Sequence, residues 1–543
     1  MQEGRETPLS TSQGHGPSVP SQGRPASLRP VDELVDFVLE QTTSPVNRWA
    51  VAATLESGGV RDVDAQQRYG DADVFALADR VYAGCRTRLV ALGDPVVPAA
   101  ASSDVRAVLG RYGRGLVSGL PMLVQTFSVL LLAFVLYALL GYDEERASVV
   151  ALATLSSLVV TGGFVQVIGR LAVYYTEQGS FRLAQEVSWR LVRYGVTAAT
   201  AVGLVLVAIN AVTGWWLPAV LVVEALVYYA LLTVLWLLLA VLYAMRLRLS
   251  IVVVFLGTAV VAAVTDRLVP STPELAHWSG LLAADVGAAV WARRSLRRRA
   301  AQEEADGVVR RLPRQMIHAY SVAPYFLYGL LYFSFLFLDR LLAWTVGGHP
   351  LPFWFDAGYE VGLDLALIVL VLMLPQLEYA VHAFADSMTP VQTSYLAAQA
   401  KQHNSHYLRF YLRQLLLLVV MGAGAMGLVT AGVLGLGELD LLPGDGVLTW
   451  YVFLCGALGY ALLVVALLNG VFLFSLSRPW PAVVGLSVAL LCNGGVGWVL
   501  SRQGEHWWSV GGLVVGAAVF AIMSSVATVR VLRRLDYHYY AAY

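Results

Sequence analysis

Asp356, Glu360 and Asp364 recur at i, i+4 and i+8, a spacing that sets three carboxylates on one face of a helix. Glu378 and His382 follow eighteen residues after Glu360 and Asp364, five helical turns on, and return to nearly the same azimuth. At about 1.5 Å per residue the eighteen-residue interval spans about 27 Å, close to the hydrocarbon thickness of a bilayer. Ionisable groups at that depth are costly, and they mark a polar pathway, an ion relay or an internal ion pair. Asp339-Arg340, at the end of the preceding apolar stretch, offers Glu360 and Asp364 a partner. Paired with Arg340, these acids are structural; unpaired, they line a cavity. Asp356 and Glu378, nearer the ends of the stripe, also fit residues solvated at the membrane rim. Glu224 and Asp285 stand singly in other apolar stretches, as candidate ion-coupling acids or helix caps.

A set of membrane helices must position these groups. Of 543 residues, 57% are hydrophobic and only 14% charged, and the mean hydropathy is +0.64. Globular domains carry about a quarter charged residues. A spanning helix needs about 20 mostly apolar residues. Twelve stretches qualify, at 116–140, 147–169, 194–211, 215–243, 250–266, 275–291, 320–342, 357–384, 413–435, 447–474, 480–499 and 508–529. The expected fold is an all-α polytopic membrane protein of about twelve transmembrane helices in two six-helix lobes, with an N-terminal cytoplasmic helical extension.

Arginine orients these spans through the positive-inside rule. Twenty-four basic residues fall on one side, against Arg146, Arg267, Arg340 and Arg502 on the other. Both termini are therefore expected in the cytoplasm and the protein in the cytoplasmic membrane. Eight of the twenty-four lie between spans six and seven: Arg293, Arg294, Arg297, Arg298, Arg299, Arg310, Arg311 and Arg314. They divide the chain into lobes at 101–292 and 318–543 joined by a cytoplasmic linker at 293–317, and they are candidates for docking a partner. A weak repeat supports the division: Ser118-Gly-Leu-Pro121 opens span one and Ser321-Val-Ala-Pro324 opens span seven.

Ahead of the spans, residues 1–30 are rich in Ser, Gly, Pro and Gln and are expected to be disordered. Residues 31–100 turn amphipathic: Val31, Leu34, Val35, Val38 and Leu39 recur at helical spacing, and further helices are expected around Trp49–Leu55 and Val74–Val81. This small cytoplasmic module is either a folded spacer or a docking element for a cytosolic partner.

Several function classes are disfavoured. Thirty-seven basic residues balance thirty-seven acidic ones, which argues against a nucleic-acid footprint. Cys85, Cys455 and Cys492 lie far apart, without disulfide or zinc spacing. His403 and His406 are spaced i, i+3 without the glutamate a metalloprotease helix needs, and no phosphate-binding loop is present, so neither a metal nor a cofactor nor an enzyme activity is expected.

The stretch from Tyr328 to Arg413 reads YGLLYFSFLFLDRLLAWT, then LPFWFDAGYEVGLDLAL, then LEYAVHAF. It resembles the PelG-like exopolysaccharide exporters of the MATE and polysaccharide-flippase (MOP) superfamily, in Asp339-Arg340 with Trp344, Tyr359-Glu360 and Leu377-Glu378. The resemblance implies a six-plus-six lobed fold and export of a polysaccharide across the inner membrane. Its pathway would include Asp339, Arg340, Trp344, Asp356, Tyr359, Glu360, Asp364, Glu378 and His382. It also implies two partners, a cytosolic glycosyltransferase and a cyclic-di-GMP-responsive membrane scaffold. The hundred residues before the first span depart from that family. Two alternatives stay open: an ion-coupled exporter of a small molecule or lipid-linked sugar, and a non-transporting scaffold for a polysaccharide synthase.

Overall fold

The computed structural model describes residues 31–91 apart from 43, 44 and 46, 144–304 apart from 215 and 270–272, and then 315–347, 351–394, 400–438 and 446–540. The expected tail at 1–30, the expected span at 116–140 and Arg310, Arg311 and Arg314 lie outside these residues. The chain divides into two compact units: residues up to Ala100 with 389–403, and the remainder.

The N-terminal residues form three main helices, α1 (Val31–Thr42), α2 (Arg48–Ser57) and α3 (Val74–Ala91), with a short helical turn at 62–69. Asn47 caps α2 by accepting the Ala50 N–H at 2.9 Å. The apolar faces close on one core of Leu34, Val38, Val51, Leu55, Leu77 and Val81, with Cys85 buried among them. Here the amphipathic spacing read from the sequence becomes packing.

The larger unit is a helical bundle. Its first half contains α4 (Glu144–Glu177), α5 (Phe181–Val212), α6 (Ala219–Ala244), α7 (Arg248–Leu268) and α8 (Pro273–Glu304). Its second half contains α9 (Gln315–Trp344), α10 (Ala357–Ser394) and α11 (Ala400–Glu438), the last two except for their residues within 389–403, then α12 (Gly446–Ser475), α13 (Trp480–Gln503) and α14 (Val510–Leu532). A short 3₁₀ turn, His506–Ser509, precedes α14. Ten helices among the described residues are long and apolar enough to cross a membrane, and these residues contain no strands: the protein is a polytopic all-α membrane protein. The expected sixth span forms a helix, α8, but is not among the ten; polar residues such as His277, Ser279 and Asp285 dilute its hydropathy. Arg293 to Arg299 stand on the last turns of α8, which continues as helix to Glu304.

Polar residues inside these helices turn their hydroxyls to the backbone. Thr154 donates to the Val150 carbonyl at 2.9 Å and Thr161 to that of Ser157 at 2.7 Å, which satisfies them away from water. The halves of the bundle meet where α4 crosses α9. A Cβ on Gly329 would overlap the Gly162 carbonyl oxygen, and one on Gly163 would lie 2.7 Å from the Phe326 ring, so only glycine permits this approach. Phe164 meets Phe326 edge-on at 5.0 Å beside the crossing.

Two turns share one backbone geometry. Arg246 between α6 and α7 and Ser477 between α12 and α13 both adopt left-handed backbone, with φ of 57° and 55°. In each, two N–H groups fold back on the ending helix: Arg246 to Tyr243 and Leu247 to Leu242, then Ser477 to Phe474 and Arg478 to Leu473. The same capping motif therefore closes α6 and α12.

Candidate functional site: a buried charge network in the second half

Asp339 and Arg340 end α9, and Tyr359, Glu360 and Asp364 begin α10. Residues twenty positions apart in sequence are brought face to face by the turn between these helices. Arg340 forms a hydrogen-bonded ion pair with Glu360, and its second terminal nitrogen lies 3.6 Å from Asp364 Oδ1. Trp344 Nε1 donates to the other Glu360 oxygen at 3.1 Å. Tyr359 donates its hydroxyl to Asp339 Oδ2 at 2.8 Å, and Ser509 in turn donates to the Tyr359 oxygen at 3.0 Å. Tyr460 of α12 stands beside the guanidinium. Asp339 and Tyr359 are fully buried, and Arg340 and Glu360 only 7% and 6% exposed. Arg340 thus pairs with the buried Glu360 and lies near the partly exposed Asp364, and a charge held out of water needs both a partner and hydrogen bonds.

Asp356 is not on the helical face suggested by its spacing. It sits just before α10 and caps it, accepting the Tyr359 N–H at 2.8 Å through its side chain and the Glu360 N–H at 3.0 Å through its carbonyl. Its other carboxyl oxygen lies 2.7 Å from His506 Nε2. Burial alone would raise this carboxyl, but the hydrogen bonds from His506 and from the Tyr359 and Gly358 N–H groups outweigh it and hold it below the usual carboxylate range. The loop leading to Asp356 is fastened to the first half of the bundle: Trp354 Nε1 donates to Glu144 at 3.2 Å, and the Phe355 N–H to Ser148 Oγ at 2.8 Å.

Of the residues singled out from sequence, Asp339, Arg340, Trp344, Tyr359, Glu360 and Asp364 meet in one network, with Asp356 at its edge. Glu378 and His382 lie further along α10, 3.8 Å apart, with the His382 side chain half exposed. Glu224 on α6 and Asp285 on α8 are buried in the first half of the bundle, 4% and 7% exposed. His506, Ser509 and Tyr460 were not among the sequence candidates. They stand 120 to 150 positions from their partners, and nothing in linear spacing ties them to α10. The second half also carries interhelical polar contacts: Tyr411 to Asn469 at 2.8 Å, Asn469 to Ser524 at 3.0 Å, and Gln376 to Gln414 at 2.9 Å. The first half holds a cavity of about 250 Å³, lined mainly by apolar side chains including Leu152, Leu206 and Phe353, with Asn210 and Tyr229 among its few polar groups.

No family model matches the sequence, and no curated protein does. Solved structures do match. The Vibrio cholerae MATE transporter VcmN in its bent form aligns over 79% of this chain and 99% of its own, with a TM-score of 0.53 at 14% identity. The fold is MATE-like. A multidrug resistance MATE family transporter of the MOP superfamily, in an outward-facing conformation, aligns over 82% of this chain and 97% of its own, with the same TM-score and identity. At 14% identity the property shared with these transporters is the MATE-like fold, and the Arg340 network belongs to the second half of it.

Proposed function

We propose that this protein is an exporter that moves an exopolysaccharide of the Pel type across the cytoplasmic membrane by an alternating-access or channel-like path, with both termini in the cytoplasm. The observation that carries the transport reading is the MATE-like fold, which covers nearly the whole length of two transporters. The polysaccharide reading is supported by the residues of the family resemblance, since Asp339-Arg340, Trp344 and Tyr359-Glu360 form one connected buried network. In this reading the network holds α9 and α10 in register, and the more accessible Asp364, Glu378 and His382 are the groups left to face cargo. A cytosolic glycosyltransferase and a cyclic-di-GMP-responsive scaffold are the partners it implies. The protein itself makes and breaks no covalent bond.

The test is surface and secreted polysaccharide in a deletion strain complemented with wild type, Asp364→Asn or Glu360→Gln, at matched membrane levels. Loss of polymer on deletion, restored by wild type and reduced by Asp364→Asn, is the expected result. Unchanged polymer in the deletion strain refutes the polysaccharide reading. A second reading draws on the largely apolar cavity of the first half, which suits a small apolar or lipid-linked cargo. It predicts that the deletion strain accumulates such a compound while its polymer stays normal.

A further inference from the structure

Taken as the sixth span that the sequence predicts, helix α8 is too long for the membrane alone. Its 32 residues reach about 48 Å, against roughly 30 Å of hydrocarbon, so roughly a dozen residues extend beyond. Trp291, 38% exposed, ends the apolar stretch 275–291 read from the sequence, an aromatic at the interface level expected of such a span, and Trp189 and the half-exposed Tyr194 lie on the paired stretch of α5. Immediately past that level come Arg293, Arg294, Arg297, Arg298 and Arg299.

The two helices hold this end together side by side. The Arg293 guanidinium covers the Trp189 ring at 5.2 Å, and that of Arg299 covers Phe181 at 5.7 Å. Glu303 of α8 accepts the Arg182 N–H of α5 at 2.8 Å, and Glu186 pairs with Arg190 at 2.6 Å. Two of the local acids are thus engaged. By sequence, 181–193 and 293–304 together hold eight arginines and three glutamates. Among the described residues none of the five α8 arginines is in an ion pair, and Arg293, Arg294, Arg297 and Arg298 are exposed. A concentrated positive charge, fixed by ring contacts at the edge of the apolar layer, calls for an anion at the same depth.

We propose that the arginine face of α5 and α8 binds the phosphodiester headgroup of an anionic phospholipid from the surrounding bilayer. The depth selects the source. Headgroups occupy the first 5–8 Å or so beyond the hydrocarbon, and Arg293, Arg294 and Arg297 fall within about 3–9 Å of Trp291 along the helix axis. Arg298 and Arg299 stand a little further out, and their long side chains reach back toward that layer. Arginine suits the ligand because its planar fork donates two parallel hydrogen bonds to phosphate oxygens. This site is separate from the Arg340 network and independent of the cargo.

The test uses the full chain purified in a nonionic detergent. Thermal stability is followed on adding short-chain phosphatidylglycerol, short-chain phosphatidylcholine or inorganic phosphate, and retained lipid is measured by native mass spectrometry. Phosphatidylglycerol is expected to stabilise and to be retained, the other two not, and the effect should fade as salt rises. The triple variant R294Q/R297Q/R298Q, which leaves both ring contacts intact, should bind phosphatidylglycerol about tenfold more weakly. Arg298→Gln alone should show a smaller loss in the same direction and serves if the triple variant folds poorly. Phosphatidylglycerol binding by the well-folded triple variant at wild-type strength overturns the proposal. So does equal stabilisation by inorganic phosphate, which makes this a free-phosphate site. Unchanged lipid retention with loss of a co-purifying cytosolic protein also overturns it, in favour of a protein-docking surface.

Discussion

Replacing Arg340 with Gln should destabilise the protein more than neutralising any one of its acidic partners. The guanidinium side chain is 9% exposed and faces Glu360, at 8%, and Asp364, at 23%, with the fully buried Asp339 adjacent to it in the chain. Its removal leaves Glu360 and Asp364 without their cation, and breaking the buried pair with Glu360 in this way costs about 3–5 kcal/mol. Glu360→Gln is milder. The Gln oxygen still accepts from Trp344 Nε1, and Arg340 keeps Asp364 at 3.6 Å, so roughly 1–3 kcal/mol is expected. A 2 kcal/mol gap between the variants is about a thirtyfold difference in unfolded population. The double variant R340Q/E360Q should lose clearly less than the sum of the two. Unfolding in mixed micelles by SDS titration, followed by circular dichroism, measures all three. The reasoning is refuted if Arg340→Gln is as stable as wild type, or if Glu360→Gln is the more damaging change.

Three other outcomes follow from the geometry. Gly329→Ala drives a methyl group into the Gly162 carbonyl and should cost about 1–3 kcal/mol in the same titration, whereas Gly424→Ala, with open space around it, should be tolerated. Arg246→Gly and Ser477→Gly relieve left-handed backbone, and each should stabilise by about 0.5–1 kcal/mol; the exposed Arg246–Glu177 pair lost in the first contributes little. Burial pushes the Cys85 thiol up to about 11, so with Cys455 and Cys492 replaced by Ser the native protein should resist thiol reagents at pH 8 and react fully on denaturation. Because the folded state holds this proton more tightly than the unfolded chain, near 9, the contribution is complete below pH 9. It is lost as pH rises from 9 to 11, about 2–3 kcal/mol in all, readable as a falling melting temperature of the N-terminal helices.

Hydropathy was enough to place most of the membrane helices, because twenty apolar residues in a row have few other uses. It was least informative at α8, where the apolar stretch is interrupted by His277 and Asp285 and runs directly into arginines. The pairing of Arg340 with Glu360 and Asp364 was accessible from sequence, since an isolated cation beside a membrane demands a nearby acid. Asp356 shows where periodicity misleads: its i, i+4 relation to Glu360 arises because it caps the helix, one residue before the helix starts. His506 and Ser509 were invisible for a different reason. Their partners are set by where the 3₁₀ turn before α14 meets the start of α10, and contact between distant segments leaves no trace in local spacing. The Gly162–Gly329 crossing has the same origin, as each glycine alone resembles the many others in these helices.

The loop ending at Asp356 has a kinetic consequence. One end is fastened to α4 through Glu144 and Ser148, and the other initiates the helix that carries Tyr359, Glu360 and Asp364. Any motion that draws α4 away from this loop must first break those two hydrogen bonds, at about 0.5–1.5 kcal/mol each. Together they bias the fastened arrangement by roughly five- to 150-fold. A motion that leaves them intact instead transmits its pull along the loop to the first turn of α10. The packing of Leu351 and Trp354 against Val149 adds to the fastening, so the loop joins α4 to the helix that carries the charge network through apolar contact as well as hydrogen bonds.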